Sequence, residues 1–397
     1  MLYSIDLFAW CGWLTDWFRQ TGYFSTLAAI EWDKSACETL WKRMISKWFW
    51  NKVYRYDIQK VDNLIKWWDD EYGKCEWLDK IIWNKRLDVI IWWPPCQAYS
   101  LAWRIRDENG MEDDYRNYLF RHYLEIVDHY KPKLFVFENV PWLFSAKPKW
   151  VPIIEEIRNN CKEIWYTIYS KIKEEWIFNA VDYWVPQIRK RVVIIWVNNN
   201  LIKWDPDEAL ENFYSVIMKK YRIEKIKTVK NALSDMTKFS PVNSADHIEY
   251  RPIWKNNFLN NIPRNHNNRD YEIFKDLAID AINWHIKYKS TDDLINLYYE
   301  KTWKKTNVHK YHVLERDSPS TTIPAHLYKD WLRHIHPDPE QWRSITVREA
   351  ARLQSFDDDF EFIWSMWDQF KMIWNAVPPK FAKAIWLAVN DFIKKYF

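Results

Sequence analysis

The chain has 397 residues, of which 48% are hydrophobic and 28% are charged, and its formal net charge is +4. These values are typical of a folded protein of two or more domains and exclude a disordered chain, while the mild positive charge permits nucleic-acid binding without requiring it. No stretch approaches the ~18 uncharged apolar residues of a membrane span, and the first residues lack a signal-peptide pattern. The five cysteines form no CxxC pair. We therefore expect a cytoplasmic protein without disulfides, metal ligands or a membrane anchor.

The predicted elements alternate between strands and helices in the first half of the chain. The predicted strands cover residues 3–9, 26–31, 87–91, 134–138, 164–170 and 192–197. The predicted helices cover residues 14–21, 34–44, 115–130 and 151–160. This alternation indicates an α/β fold with a doubly wound, mostly parallel sheet.

The pattern changes near residue 200. From there to about residue 340 strands are difficult to assign, and we expect a second domain of irregular structure. Helices return at 346–354 and 379–395. The simplest arrangement is an α/β domain over residues 1–198, an inserted domain over 199–336 and a return to the α/β domain over 337–397.

The content of tryptophan and glycine is abnormal. There are 30 tryptophans and only 4 glycines, whereas a glycine content of ~7% would give about 28 in a chain of this length. Many tryptophans occur where turns favour glycine, as in the segments WWPP (92–95) and WN (374–375). An aromatic-rich core or stacking surface is the alternative explanation. We interpret most of these tryptophans as occupying the glycine positions of an ordinary sequence.

The first predicted strand is followed by the segment DLFAWCGW (6–13). With glycine at Trp10 and Trp13 this would be a glycine-rich loop, where the backbone approaches a nucleotide-like ligand. About twenty residues later the second strand ends at Glu31, and Trp32 follows. A carboxylate there can bind ribose hydroxyls and an aromatic ring can stack on adenine. Taken alone, the pattern also fits an ordinary strand–turn–helix unit.

The segment WWPPCQ (92–97) directly follows another predicted strand. Two prolines restrict the backbone before Cys96, at the carboxyl end of a strand, where ligands of open α/β sheets bind. A thiol in this position is a candidate nucleophile. The alternative is a small buried hydrophobic residue, which the Pro-Pro-Cys-Gln context disfavours.

Two further segments place charged groups at strand ends. Glu138 ends the apolar strand before ENVP (138–141), and burial there would suit it to donate a proton; a surface glutamate is the alternative. The segment QIRKR (187–191) precedes the last predicted strand of this half. Its alternation predicts Arg189 and Arg191 on one face, the alternative being a solvated basic edge strand.

Together these segments resemble the DNA cytosine-5 methyltransferases. The matching segments are, in the family's order, DLFAWCGW (6–13), PPCQ (94–97), ENV (138–140), QIRKR (187–191), TVREAARLQSF (346–356) and NAVPP (375–379). Residues 200–335 lack a family-wide pattern, as expected of a target-recognition region. In the family each segment contains glycine, and tryptophan occupies those places here, at Trp10, Trp13, Trp92, Trp93, Trp103, Trp142, Trp342 and Trp374.

The resemblance implies a Rossmann-like fold and methyl transfer from S-adenosylmethionine to C5 of a cytosine flipped out of duplex DNA. It implies that Cys96 attacks C6 of the cytosine and that Glu138 binds the N3/N4 edge and protonates N3. Arg191, with Arg189 nearby, would hold the cytosine O2 and orient Glu138. The implied cofactor contacts are Phe8, Gly12, Glu31, Trp32, Asp57 and Asn375, and no metal is implied.

The resemblance also predicts the partners: double-stranded DNA, and a cognate restriction endonuclease in the same system, the protein itself being a monomer. Arg104 and Arg106 follow the nucleophile and are expected in a loop that closes on DNA. Alternatives are a tRNA cytosine-5 methyltransferase of the same fold and a catalytically inactive DNA-binding relative. An NAD-type oxidoreductase does not account for Pro-Pro-Cys-Gln. Tryptophan at a left-handed turn costs about 1–2 kcal/mol, so we expect weaker folding and cofactor binding than with glycine.

Overall fold

A computed structural model describes the protein over Met1–Phe397. The residues outside this description are 48–51, 67–68, 71–72, 75–76, 94–117, 147–150, 171–173, 284–285, 307–310, 325–326, 328–330 and 339. The chain forms two compact units. The first unit comprises Met1–Tyr183, Lys190–Ile223 and Pro379–Phe397, and the second comprises Trp184–Arg189 and Glu224–Pro378. The main segment of the second unit, Glu224–Pro378, therefore begins later and extends further than the insert predicted over residues 199–336, and Trp184–Arg189 belong to the same unit.

The strands are β1 (Leu2–Leu7), β2 (Phe24–Glu31), β3 (Lys52–Arg55), β4 (Asp69–Asp70), β5 (Gly73–Lys74), β6 (Val89–Trp92), β7 (Leu134–Asn139), β8 (Tyr166–Ile168), β9 (Ile177–Asn179), β10 (Lys190–Asn198), β11 (Phe239–Asn243) and β12 (Ile248–Pro252). Within the described residues, eight strands form one sheet in the order β3-β2-β1-β6-β7-β10-β8, and β9 also pairs with β10. The first five strands in this order are mutually parallel, and β10 is antiparallel to all its neighbours. The predicted α/β class is confirmed.

The helices are α1 (Trp13–Gln20), α2 (Lys34–Ser46), α3 (Val61–Ile65), α4 (Leu78–Ile82), α5 (Leu119–Tyr130), α6 (Ile153–Glu163), α7 (Pro206–Asn212), α8 (Val229–Leu233), α9 (Asn268–Ile282), α10 (Thr291–Thr302), α11 (Val347–Leu353), α12 (Met366–Asn375) and α13 (Pro379–Tyr396). In the first unit, strands β6 and β7 are buried along their whole length, as expected when both faces of a parallel sheet are covered. In the described parts of the chain, no helix is long and apolar enough to cross a membrane.

The second unit is more regular than the sequence suggested. It contains the antiparallel pair β11–β12 and the two helices α9 and α10. Buried apolar side chains from both helices form a common core, to which Ile273, Phe274, Leu277 and Leu297 belong. The expectation of irregular structure over residues 200–340 was therefore wrong for these helices.

Many tryptophans lie at backbone positions that favour glycine. Eleven non-glycine residues of the described chain have positive φ, and seven of them are tryptophan: Trp10, Trp83, Trp165, Trp184, Trp303, Trp342 and Trp364. In this conformation the Cβ approaches the following carbonyl oxygen, at a cost of about 1–2 kcal/mol that glycine avoids. The backbone thus supports the interpretation that tryptophan occupies glycine positions in this chain.

Candidate active site

Described residues of the predicted site, among them Glu31, Glu138 and Arg191, lie at one edge of the sheet of the first unit. The ends of neighbouring parallel strands are in register there, with Leu7 opposite Trp92 and Trp92 opposite Phe137. Strand β10 runs in the opposite direction, so it begins at this edge, with Val193 opposite Glu138. Because the carboxyl ends of parallel strands form the ligand-binding edge of open α/β sheets, these residues mark the candidate active site.

Glu138 and Arg191 form an ion pair at this edge. Their Oε1 and Nε atoms are 2.8 Å apart, and the residues are only 8% and 9% exposed. Arg191 also donates a hydrogen bond from Nη1 to the carbonyl oxygen of Lys190 at 2.8 Å. A guanidinium has five N–H donors in a fixed planar arrangement, so the hydrogen bond to Lys190 and the ion pair together hold the Arg191 side chain beside the carboxylate. The predicted pairing of the two residues is therefore present in the structure.

Asn139, the last residue of β7, adds a polar group next to this ion pair. Its Oδ1 accepts a hydrogen bond from the Val140 N–H at 2.8 Å. Its Nδ2 is buried and has no hydrogen-bond partner within the described residues. A buried donor without a partner costs stability, and it can bond to an acceptor on a ligand. Asn139 lies within the ENV segment, but no sequence pattern distinguished it as a site residue.

The chain enters the predicted nucleophile segment from β6. Trp92, the last residue of this strand, is fully buried and stacks on Tyr123 with ring centroids 4.5 Å apart. Cys96, Trp103, Arg104 and Arg106 lie outside the described residues. Their predicted roles remain predictions.

The loop between β1 and α1 holds the Glu31 carboxylate. The N–H of Trp10 donates to Glu31 Oε2 at 2.7 Å, and the N–H of Asp33 donates to Oε1 at 2.6 Å. Burial raises the pKa of Glu31 to about 7. Asp33 instead caps α2, because its carboxylate accepts from the Ala36 N–H at 3.0 Å. Glu31 is thus fixed at the strand end, where each carboxylate oxygen has a second lone pair for a ligand hydroxyl.

The same loop requires glycine at Gly12. Its φ is +80°, and a Cβ built there would lie 1.9 Å from Leu40 Cδ1 of α2. Phe8 and Trp10 also have positive φ, at 66° and 49°. This succession produces a tight turn after β1, so the predicted turn is confirmed as a backbone feature.

Asp6 connects the strand before this loop to the helix after it. It is fully buried in β1, and its Oδ2 accepts a hydrogen bond from the Thr15 hydroxyl at 2.8 Å. Burial raises the pKa of Asp6 to about 8. The carboxyl group therefore joins β1 to α1 mainly as a neutral acid at pH 7.

A family model for C-5 cytosine-specific DNA methylases matches residues 2–390 of the chain. The chain belongs to the C-5 cytosine-specific DNA methylase family. Among its relatives, type II methyltransferase M.Bpa9945I of Bacillus paralicheniformis is 33% identical, over 77% of this chain and 71% of its own length. Type II methyltransferase M1.HphI of Haemophilus parahaemolyticus is 28% identical, over 97% of this chain and 86% of its own.

Two solved structures share the fold of this methylase. A prophage-encoded Escherichia coli protein described as a DNA modification methyltransferase has a TM-score of 0.60 and 24% identity, covering 99% of this chain and 100% of its own. The S. pombe Dnmt2 methyltransferase has a TM-score of 0.56 and 15% identity, covering 98% and 99%. The predicted family, enzyme class and Rossmann-like fold are confirmed, and the alternative functions receive no support. Family membership implies DNA as substrate and S-adenosylmethionine as methyl donor.

The first unit of the methylase fits a ribonucleoside such as the adenosyl group of this donor. Glu31 is a fixed acceptor at the end of β2, and Gly12 allows the tight turn beside it. Trp32 is 60% exposed, so its ring is accessible for stacking. Asp57 follows β3, is half-buried and accepts from the Gln59 N–H at 3.0 Å. These residue types are the ones that bind ribose hydroxyls and adenine in Rossmann-like folds.

Two predicted site residues of the methylase belong to the second unit. Asn375 is the last residue of α12, and its Nδ2 is buried without a hydrogen-bond partner in the described chain. Arg189 precedes β10, which begins at Lys190, so the alternation that placed both arginines on one strand face does not extend to Arg189. Its guanidinium donates to the carbonyl oxygens of Trp374 and Ala376.

Proposed function

We propose that this DNA cytosine-5 methyltransferase modifies one cytosine within a specific duplex site, through a covalent bond from Cys96. The observation that supports it most directly is the Glu138–Arg191 ion pair at the carboxyl edge of the sheet. A carboxylate and a guanidinium fixed side by side can bind the polar edge of a single base. Because that edge is hidden in a duplex, the cytosine must first leave the stack.

Cys96 would add to C6 of the flipped cytosine as a thiolate, forming a carbon–sulfur bond and moving electron density to C5. Glu138 would accept from the N4 amino group and deliver a proton to N3, which makes C6 more electrophilic. Arg191 would hold the cytosine O2 and keep the Glu138 side chain in place. After C5 has taken a methyl group, the C5 proton would pass to water, the Cys96 thiolate would depart, and N3 would return its proton to Glu138, which restores the aromatic ring. The covalent route divides one difficult substitution into easier steps.

S-adenosylmethionine supplies the methyl group when bound. Glu31 would accept hydrogen bonds from the ribose hydroxyls, and Trp32 would stack on the adenine. Burial keeps part of the Glu31 population protonated near neutral pH. Because an ionised carboxylate is the stronger acceptor, the bond from a ribose hydroxyl would be strongest in the ionised fraction. The remaining predicted cofactor contacts are Phe8, Gly12, Asp57 and Asn375.

Target choice is assigned to the predicted recognition domain, residues 199–336. Base-edge contacts in the major groove distinguish all four base pairs, whereas phosphate contacts carry no sequence information. Both relatives described above are named type II methyltransferases. On that basis a cognate restriction endonuclease would cut the same site when it is unmethylated. The enzyme would act as a cytoplasmic monomer.

The test is methyl transfer from radiolabelled S-adenosylmethionine to duplex DNA and, in parallel, to tRNA. We expect label in DNA alone. Cys96→Ser should abolish turnover, because a serine hydroxyl is scarcely ionised at neutral pH, and it should leave cofactor affinity unchanged. Cys37→Ser, which removes a thiol buried in α2, is the matched control and should retain activity. Turnover by the Cys96→Ser variant, or label in tRNA alone, would contradict the proposal.

A further inference from the structure

Arg189 stabilises the carboxyl end of a helix in the second unit. Its guanidinium is fully buried, and one terminal nitrogen donates to the carbonyl oxygens of Trp374 and Ala376, the latter at 3.1 Å. The last carbonyls of a helix have no partner within the helix. A positive charge near them is also favoured by the helix dipole. Arg189 therefore supplies a charged donor to two carbonyl oxygens at the end of α12.

A second buried side chain bonds to the same turn. Gln354, which follows α11, donates from Nε2 to the carbonyl oxygens of Ile373 at 3.1 Å and Ala376 at 2.8 Å. Arg189 and Gln354 together bond to carbonyls on both sides of Asn375. Hydrogen bonds to a charged donor are about twice as strong as neutral ones, so the arginine is the dominant of the two.

Asn375, between these fixed carbonyls, has an amide nitrogen with no acceptor. Its Nδ2 is buried and lacks a hydrogen-bond partner among the described residues. Burying an unpaired donor costs free energy that a ligand acceptor would restore. The hydrogen bonds from the Arg189 side chain to the carbonyl oxygens of Trp374 and Ala376 restrain the backbone on both sides of Asn375.

We infer that Arg189 is a positioning residue for Asn375, not a direct contact to the cytosine. This inference rests on the proposed function, in which Asn375 contacts S-adenosylmethionine. Removing the guanidinium would release the carbonyls of Trp374 and Ala376 and let the turn reorient. Cofactor affinity would then fall, whereas the rate of methyl transfer at saturating cofactor would not.

The experiment compares Arg189→Met with Arg348→Met in the full chain. Arg348 is the matched control, because its guanidinium is also fully buried in the second unit and donates to main-chain carbonyls, at Leu259 and Asp357. Calorimetry should give a Kd for S-adenosylmethionine about tenfold higher in Arg189→Met, the effect of ~1.4 kcal/mol. Arg348→Met should bind with the unchanged Kd. Single-turnover methyl transfer at saturating cofactor should have the same rate in both variants.

Two further variants make the test specific. Arg189→Lys keeps a cation at the helix end and should give an intermediate Kd, which covers the case that Arg189→Met fails to fold. Adding Asn375→Ala to Arg189→Met should weaken binding little further, because residues that act through one contact are not additive.

Several results would overturn the inference. One is an unchanged Kd for S-adenosylmethionine in both Arg189 variants, and another is a rise in Kd of the same size in Arg348→Met. A third is full additivity of the Arg189→Met and Asn375→Ala effects on Kd. A fourth is a lower rate at saturating cofactor with an unchanged Kd, which would make Arg189 a base contact. If the unchanged chain bound no S-adenosylmethionine, the proposed function would be wrong and this inference with it.

Discussion

Trp165 and Trp41 allow a test of whether tryptophan occupies positions that favour glycine, because the difference in stability between glycine and alanine variants should have opposite signs at the two positions. Both lie in the first unit and are nearly equally exposed, at 60% and 59%. Trp165 follows the end of α6 with φ of 67°, whereas Trp41 lies in the middle of α2. Each is replaced by glycine and by alanine. At one site the glycine and alanine variants lose the same ring contacts, so the difference between them reports the backbone alone.

The expected differences follow from the two conformations. At Trp165 alanine keeps the Cβ penalty of about 1–2 kcal/mol in the left-handed region, which outweighs the ~0.4–1 kcal/mol that glycine loses through its more flexible unfolded chain. Glycine should therefore be the more stable variant there, by about 0.5–1 kcal/mol. At Trp41, inside a helix, alanine should be the more stable variant by ~1 kcal/mol.

The assay is equilibrium unfolding in urea, followed by far-ultraviolet circular dichroism because the substitutions remove tryptophan fluorescence. The free energies of unfolding are compared within each pair. If alanine is also the more stable variant at Trp165, then this position does not favour glycine and the interpretation of the positive-φ tryptophans is wrong.

Four further predictions concern the titration of two buried groups, the chemistry of the enzyme and its specificity. Burial raises the pKa of Asp6 from 3.8 to about 8, so the folded state retains a proton that the unfolded state releases; the first unit should lose stability as pH rises from 4 to 8, and urea titrations of Asp6→Asn should show a weaker dependence. Burial lowers the pKa of His266 from 6.5 to about 3, so the second unit should instead lose stability as pH falls below 6.5, and a rise there would contradict the assignment. DNA containing 5-fluorocytosine at the target should give a stable adduct on a denaturing gel that requires cofactor and Cys96, because fluorine cannot leave as the C5 proton does; absence of that band with active enzyme would reject the covalent route. Exchanging residues 224–336, the part of the predicted recognition domain that lies in the second unit, for those of another family member should move the methylated site. An active chimera with the original target would place recognition elsewhere.

The central sheet could be predicted from the sequence because its strands are covered on both faces. Continuous apolar runs such as Leu134–Asn139 are then the signal, and their predicted bounds agree with the structure within a few residues. Strand β3 was missed, because Lys52–Arg55 has four residues and charged ends. The antiparallel direction of β10 was also missed, because the apolar pattern of a buried strand does not indicate the direction in which the strand runs.

The helices of the second unit could have been predicted from their caps. The Asn267 side chain accepts from the Asp270 N–H, and Ser290 forms a capping box with Asp293. Their apolar residues cover a small core and are separated by many charged residues, so the periodicity alone is weak.

The candidate site was predicted in part. The residues at the ends of β1, β2 and β7 could be placed at one edge from the alternation of strands and helices. The Glu138–Arg191 ion pair depends on the register between β7 and β10, which joins residues more than fifty positions apart and which no local pattern specifies. The bonds from Arg189 to the end of α12 are similarly long-range, and this is why sequence reasoning placed Arg189 beside Arg191.

The left-handed backbone at Trp165, Trp184, Trp303 and Trp364 has a consequence for the gene. The codon UGA differs from the glycine codon GGA only in its first base, and among variant genetic codes some read UGA as tryptophan and others read it as glycine. A gene whose own tRNA reads UGA as glycine would yield this chain if its UGA codons were translated as tryptophan. In that case these four positions are encoded by UGA, and peptides from the source cell carry glycine there. UGG codons at the four positions would instead make the strained tryptophans native to the protein.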